Sequence, residues 1–275
     1  MGRIPIASRA GSAALVLAIA SVVLAWDEPS RSDPSAKPWK EVASTYRIKL
    51  EPSIATPLTF REEPVLKWTN PERKTDDGAI FVWTDRGRPE VAACFYRYKA
   101  EGIPTEDHEF ISLSTSPLSA ERDKEPIWEV GVANVRPMPI PDASRPATSA
   151  NERLRQMRAL ARDFKATFNN PPDLSEIRLL TQPIYRFETE GKRTDVVDGA
   201  LFAFVHTTDP EILLIIEARP KVEGGPAIWQ YSLARMSMVN MRVHHKEKEV
   251  WSARWATDLG DPSNPYMVRS LRSAR

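Results

Sequence analysis

The chain has 275 residues, with 38 Lys and Arg against 37 Asp and Glu. Its near-neutral charge weighs against a dedicated nucleic-acid binder, which usually carries a basic excess. Its one cysteine, Cys94, excludes an intrachain disulfide, so a core must be held by burial alone.

Residues 1–25 read as a secretory signal. Arg3 and Arg9 give a positive start, Ala13 to Leu24 is apolar except for Ser21, and Val23 and Ala25 precede a cut ahead of Trp26. The run is shorter than the roughly 20 residues that span a bilayer. An uncleaved anchor is the competing reading, and only then would the chain touch a membrane. No Cys lies near the cut and no Arg pair precedes it, so ordinary export to the periplasm or the outside is expected. Residues 26–37, rich in Pro, Ser and charge, read as a flexible tether.

Residues 38–134 read as a first α+β repeat. Pro38 to about Tyr46 fits a helix, with Trp39, Val42, Ala43 and Tyr46 on one face. Tyr46, Ile48 and Leu50 also alternate as a strand does. Strands are expected at Val65 to Trp68, Ala79 to Trp83, Val91 to Tyr98 and Phe110 to Ser114. Residues 135–149 carry Pro137, Pro139, Pro141 and Pro146 and read as a linker.

Residues 150–256 read as a second repeat. Ser149 and Glu152 match a capping box. Leu154, Met157, Ala161, Phe164 and Phe168 then recur at helical spacing, which predicts a helix from Ala150 to Phe168. Arg155, Arg158 and Arg162 fall opposite that stripe and read as a solvated face, or as a grip on an anionic polymer. Strands follow at Ile177 to Phe187, Ala200 to Val205, Ile212 to Ala218 and Ile228 to Met238, with Arg242 to Trp251 as an exposed one. The tail, residues 257–275, is expected to be disordered beyond Tyr266.

Asp77-Gly78-Ala79-Ile80-Phe81 recurs as Asp198-Gly199-Ala200-Leu201-Phe202, 121 positions on, and the same offset aligns Pro89-Glu90-Val91 with Pro210-Glu211-Ile212. This predicts an internally duplicated unit of one helix and a four- or five-stranded antiparallel sheet, related by a pseudo-twofold, in cystatin-like or nuclear-transport-factor-like order. The repeated Asp is expected to bond its own turn, and Gly78 and Gly199 to take positive φ.

No catalytic, cofactor or metal site is assigned. His108, with Glu106, Asp107 and Glu109 beside it, has no second histidine at ligand spacing, and His244 and His245 would face opposite ways in a strand. Asp85 and Glu90, or Asp209 and Glu211, read as turn groups rather than paired acids. Cys94 reads as a buried inert thiol. Trp68, Trp83, Trp128, Trp229, Trp251 and Trp255 read as core filling, with a sugar platform as the alternative.

Gly87-Arg88-Pro89-Glu90-Val91, His108-Glu109-Phe110, Arg153-Leu154-Arg155-Gln156-Met157 and Asp198-Gly199-Ala200-Leu201-Phe202 resemble a family of uncharacterised secreted proteins from planctomycete bacteria, over roughly residues 39–255. The resemblance implies export and a shared fold, and carries no catalytic residue. The expected function is a non-catalytic binding or structural module of the cell envelope, with an envelope component or protein as partner. The alternative is a carrier or enzyme with a pocket between helix and sheet. A cleft receiving His108, Glu109 and Arg88 together would favour that alternative.

Overall fold

In the computed structural model, residues 37–51, 56–100, 102–169, 174–189, 195–222 and 224–272 are described. The expected signal and all of the tether but its last residue lie outside them. A helix, α1 (Trp39–Ala43), leads into β1 (Tyr46–Leu50), β2 (Thr59–Phe60), β3 (Leu66–Asn70), β4 (Thr75–Asp85), β5 (Arg88–Ala100), β6 (Ile103–Ser112), β7 (Leu118–Arg122) and β8 (Glu125–Val130). The Pro-rich stretch holds β9 (Met138–Pro139). Then come α2 (Ala150–Arg162), β10 (Phe164–Phe168), β11 (Glu176–Leu179), β12 (Tyr185–Glu188), β13 (Asp198–His206), β14 (Asp209–Pro220), β15 (Ala227–Arg235), β16 (Met241–His245), β17 (Lys248–Ala253) and β18 (Tyr266–Arg272).

The α+β expectation is overturned, and with it the helix-plus-sheet repeat and its cystatin-like or nuclear-transport-factor-like order. Only two helices occur among the described residues, and α1 has five residues, too few to cover a sheet. The long helix stops at Arg162 because Phe164, Ala166 and Phe168 alternate into the core as a strand. A spacing of four residues satisfies a period of 2 as well as one of 3.6, so Phe164 and Phe168 fitted both patterns. Ser149 does cap α2, accepting from the Glu152 amide. The stretch from Arg242 to Trp251 lies in a hairpin, β16 and β17, and residues 266–272 of the tail form a strand.

What recurs is a pattern of antiparallel pairing. In the first half β1–β7–β8 make one sheet, while β4–β5–β6 pair in order with β2 and β3 both on β4. In the second half β10–β16–β17 and β13–β14–β15 repeat this, with β11 and β12 both on β13. There β10 also pairs β11 and joins the strands into one sheet. The terminal strands are exchanged: β9 follows the first half and pairs β15 of the second, while β18 follows the second and pairs β6 of the first.

Three apolar clusters result. Trp39, Tyr46, Phe81, Phe95, Phe110 and Trp128 fill the first sheet system, and Met157, Phe164, Phe202, Phe204 and Trp229 fill the second. A third, with Ile80, Val82, Cys94, Leu201, Leu213 and Ile215, lies between the β4–β6 and β13–β15 sheets. The central strands are therefore buried on both faces, and each fully buried large side chain contributes about 1.5–3 kcal/mol.

Gly78 and Gly199 lie inside β4 and β13, and neither takes positive φ. Among the described residues, the positive-φ glycines are Gly87, Gly102 and Gly224. The repeated aspartates do not close turns. Asp198 accepts from Arg153 Nε at 2.7 Å and Arg186 Nη2 at 3.0 Å, and Asp77 pairs with Arg97 at 3.3 Å.

Candidate functional site

Side chains alternate across a strand, so one face of β5 carries Arg88, Glu90, Ala92, Cys94, Tyr96 and Tyr98. The facing side of β14 carries Asp209, Glu211, Leu213, Ile215, Glu217 and Arg219. Both rows are apolar in the middle and polar at the ends. The start of β5 meets the end of β14, and the polar ends make two unlike sites.

The closed site centres on Arg88, which is 1% exposed. Its Nε donates to Glu217 Oε1 at 2.7 Å and its Nη1 to Glu90 Oε2 at 2.9 Å. Nη1 also reaches the Pro89 and Leu113 carbonyls at 3.2 and 3.1 Å. Burial opposes the charge, but Glu217 and Glu90 hold the guanidinium pKa above its ordinary value. Arg219 adds a bond to Glu217 Oε2 at 3.3 Å.

The open site is a cleft of about 520 Å³. Trp68, Tyr96 and Tyr98 form a row of rings along it, with centroids 5.6 and 5.8 Å apart. Arg73, Asp107, Glu109 and Asp209 converge on it, and β18 supplies Tyr266. Arg73 and Met238 are exposed, so the cleft opens to solvent beside them.

Arg73 Nη1 donates to Asp209 Oδ2 at 2.7 Å, and Asn70 Nδ2 to the same oxygen at 3.2 Å. Arg73 Nη2 lies 2.9 Å from Glu211 Oε1, near enough to pair charge but out of line for a hydrogen bond. Burial pushes Glu211 up to about 7, with Arg73 opposing, and also raises Asp209. Glu109 is pushed well above the carboxylate range, first by burial and then by the charge of Asp209. The Tyr96 hydroxyl shares its one proton between Asp107 Oδ2 at 3.2 Å and Glu109 Oε1 at 3.3 Å, and the Tyr266 hydroxyl donates to Glu109 Oε1 at 2.9 Å.

Of the three residues named to favour a pocketed reading, only Glu109 reaches the cleft. His108 points to the other face of β6, with Nδ1 2.5 Å from the Tyr46 hydroxyl and Nε2 2.7 Å from Glu106, and burial lowers its pKa. Arg88 closes the opposite end. Asp85 is a turn residue beside Arg86, whereas Glu90, Asp209 and Glu211 are buried partners of arginine rather than turn groups. His245 packs on Phe164 with ring centroids 4.7 Å apart, and His244 falls on the other side of β16. Arg155 and Arg162 are exposed and Arg158 half-buried. Cys94 is a free, buried thiol whose pKa burial raises. Trp83, Trp128 and Trp229 are core residues, and among the described tryptophans Trp68 alone lines the cleft.

Sequence reasoning missed Arg73, Tyr96, Tyr98 and Tyr266, and took Asp107 only as a neighbour of His108. One signal was present: Asp107 and Glu109, two apart in a strand, share a face with Ile111, while Glu106, His108 and Phe110 share the other. Among the described residues no three His, Cys, Asp or Glu side chains are placed to hold a metal ion, and no helix is long and apolar enough to cross a membrane. No protein-family model, no curated protein and no solved structure matches the chain.

Proposed function

We propose that the chain is an exported, non-catalytic binding module of the cell envelope whose ligand site is the cleft beside Tyr96 and Glu109. The observation that carries this is the convergence of Arg73, Asp107, Glu109 and Asp209 on a ring-walled cavity of about 520 Å³, within the roughly 300–1,000 Å³ range of small-molecule sites. A purely structural module has no use for buried carboxyl groups beside an open cavity, since burying them costs stability. Binding is favoured over turnover because the one thiol, Cys94, is buried with a raised pKa, and His108 faces away from the cleft.

Thermal unfolding of the full chain against small ligands of cationic, neutral and anionic classes tests the site. A ligand at about 100 times its Kd adds about 2.7 kcal/mol. At least one class should raise Tm, and Tyr96→Ala should abolish the rise. A shift that survives Tyr96→Ala, or none with any class, sinks the reading. Export is checked separately, by N-terminal sequencing of the secreted protein, which should begin at Trp26.

A further inference from the structure

The two ends of the interface between the sheets differ by a guanidinium. At the 121-residue offset, Asp209 stands where Arg88 stands in the closed site, and Tyr96 where Glu217 stands. The ladder partners differ in the same sense. Asp107 pairs Tyr96 and Glu109 pairs Cys94, whereas the matching strands place Gln230 opposite Glu217 and Ser232 opposite Ile215. The open end thus gains two carboxyl groups and lacks the buried arginine.

Arg73 makes up part of the difference, but it is tied to Asp209 and Glu211. Among the described residues no Arg, Lys or His forms an ion pair with Asp107 or Glu109. Asp107 is only 6% exposed, and its Oδ1, on the wall of the cleft, has no partner. A buried carboxylate without a cation is costly, and the cost is recovered when a cation arrives.

Resting on the ligand-site reading above, we propose that the cleft takes an organic cation: an amidinium, guanidinium or primary ammonium on a compact aromatic or apolar body, seated on Asp107 and Glu109 against the ring row of Trp68, Tyr96 and Tyr98. Aromatic faces attract such cations once water is excluded. The Arg235 guanidinium already covers the Tyr266 ring, 5.3 Å from its centroid, so Tyr266 contributes its hydroxyl. The absence of a three-ligand set among the described residues disfavours a metal ion. An anion would find only Arg73, already paired twice.

Glu109 faces Asp107 on its own strand, Tyr96 and Cys94 on β5, Tyr266 on β18, and Asp209, Glu211 and Arg73 across the cleft. Its proton must leave as the cation seats, so affinity should rise with pH while the ligand stays charged.

Benzamidinium, benzamide and benzoate share one ring and differ in charge. Their binding to the full chain is read by Tm and by tryptophan fluorescence, from about pH 6 to about pH 8. Benzamidinium should bind at least about tenfold tighter than benzamide, with affinity rising with pH, and benzoate should not bind. Asp107→Asn should weaken it by about tenfold or more, and Glu109→Gln, which mimics the protonated acid, should flatten the pH dependence to the part that Glu211 supplies. Equal binding of benzamide, or preferred binding of benzoate, sensitive to Tyr96→Ala, overturns the cation assignment and leaves the ligand site standing. No binding of any of the three overturns both.

Discussion

The Trp68 indole lies against Gly78 across the β3–β4 ladder, so close that a β-carbon on residue 78 would come within 2.3 Å of Trp68 Cε2. Phe187 stands over Gly199 in the same way, with Cζ 2.3 Å from the position of such a carbon. The recurring glycine therefore serves a close approach between strands, and its two ring partners, different in kind, occupy matching places.

Gly199→Ala should cost about 1–3 kcal/mol in urea unfolding, because the ring must move. In a Phe187→Ala background the same change should cost less than about 0.5 kcal/mol. An equal cost in both backgrounds would assign the glycine to backbone freedom instead.

Arg88→Leu removes the guanidinium that Glu90 and Glu217 share and leaves Glu217 with Arg219 alone of its two arginines, at 3.3 Å. The expected loss is about 3–5 kcal/mol, measured by denaturant unfolding. Adding Glu90→Gln and Glu217→Gln should restore a good part of it, since the charges stranded by the first change are then gone. Failure to restore any stability would show that packing, not charge, holds Arg88.

Glu211, raised from 4.5 to about 7, keeps a proton in the folded state that the unfolded chain gives up. Between those values the native state binds more protons, so stability falls as pH rises, by up to an order of 3 kcal/mol from this group. Glu109 acts in the same direction. Glu211→Gln should flatten the decline in a series of urea melts across that window. An unchanged slope would mean that Glu211 is ionised throughout.

Truncation after Pro265 removes β18, and with it Met267, which is 1% exposed, and Tyr266. Lost burial should cost about 1.5–3 kcal/mol for each. The bared edge of β6 should also drive self-association, visible by size-exclusion chromatography. A monomer of unchanged stability would contradict the exchanged-strand arrangement.

The sequence showed most strands by alternation and the start of α2 by its cap, but several turns were hidden. Hairpins usually advertise themselves through Gly or Asn, yet here Lys74, Asp123, Lys124 and Lys246 take positive φ. Without a glycine at Lys246, β16 and β17 read as one strand. The α+β misreading came from Phe164 and Phe168, whose spacing suits either period. The cleft was hardly legible, because Arg73, Tyr96, Asp107, Asp209 and Tyr266 meet only after non-local pairing. Only the i, i+2 placement of Asp107 and Glu109 could have marked it.

The exchange of terminal strands has a temporal consequence. Tyr266 pairs with Ile111 and Tyr46 with Arg122, so each sheet of the first half waits for residues far along the chain. Such contacts close large loops before any reward is gained, which slows folding. The six-stranded sheet cannot finish until residues 266–272 have left the ribosome. Until then the outer edge of β6 stays unpaired and open to other chains, and holding factors have time to act.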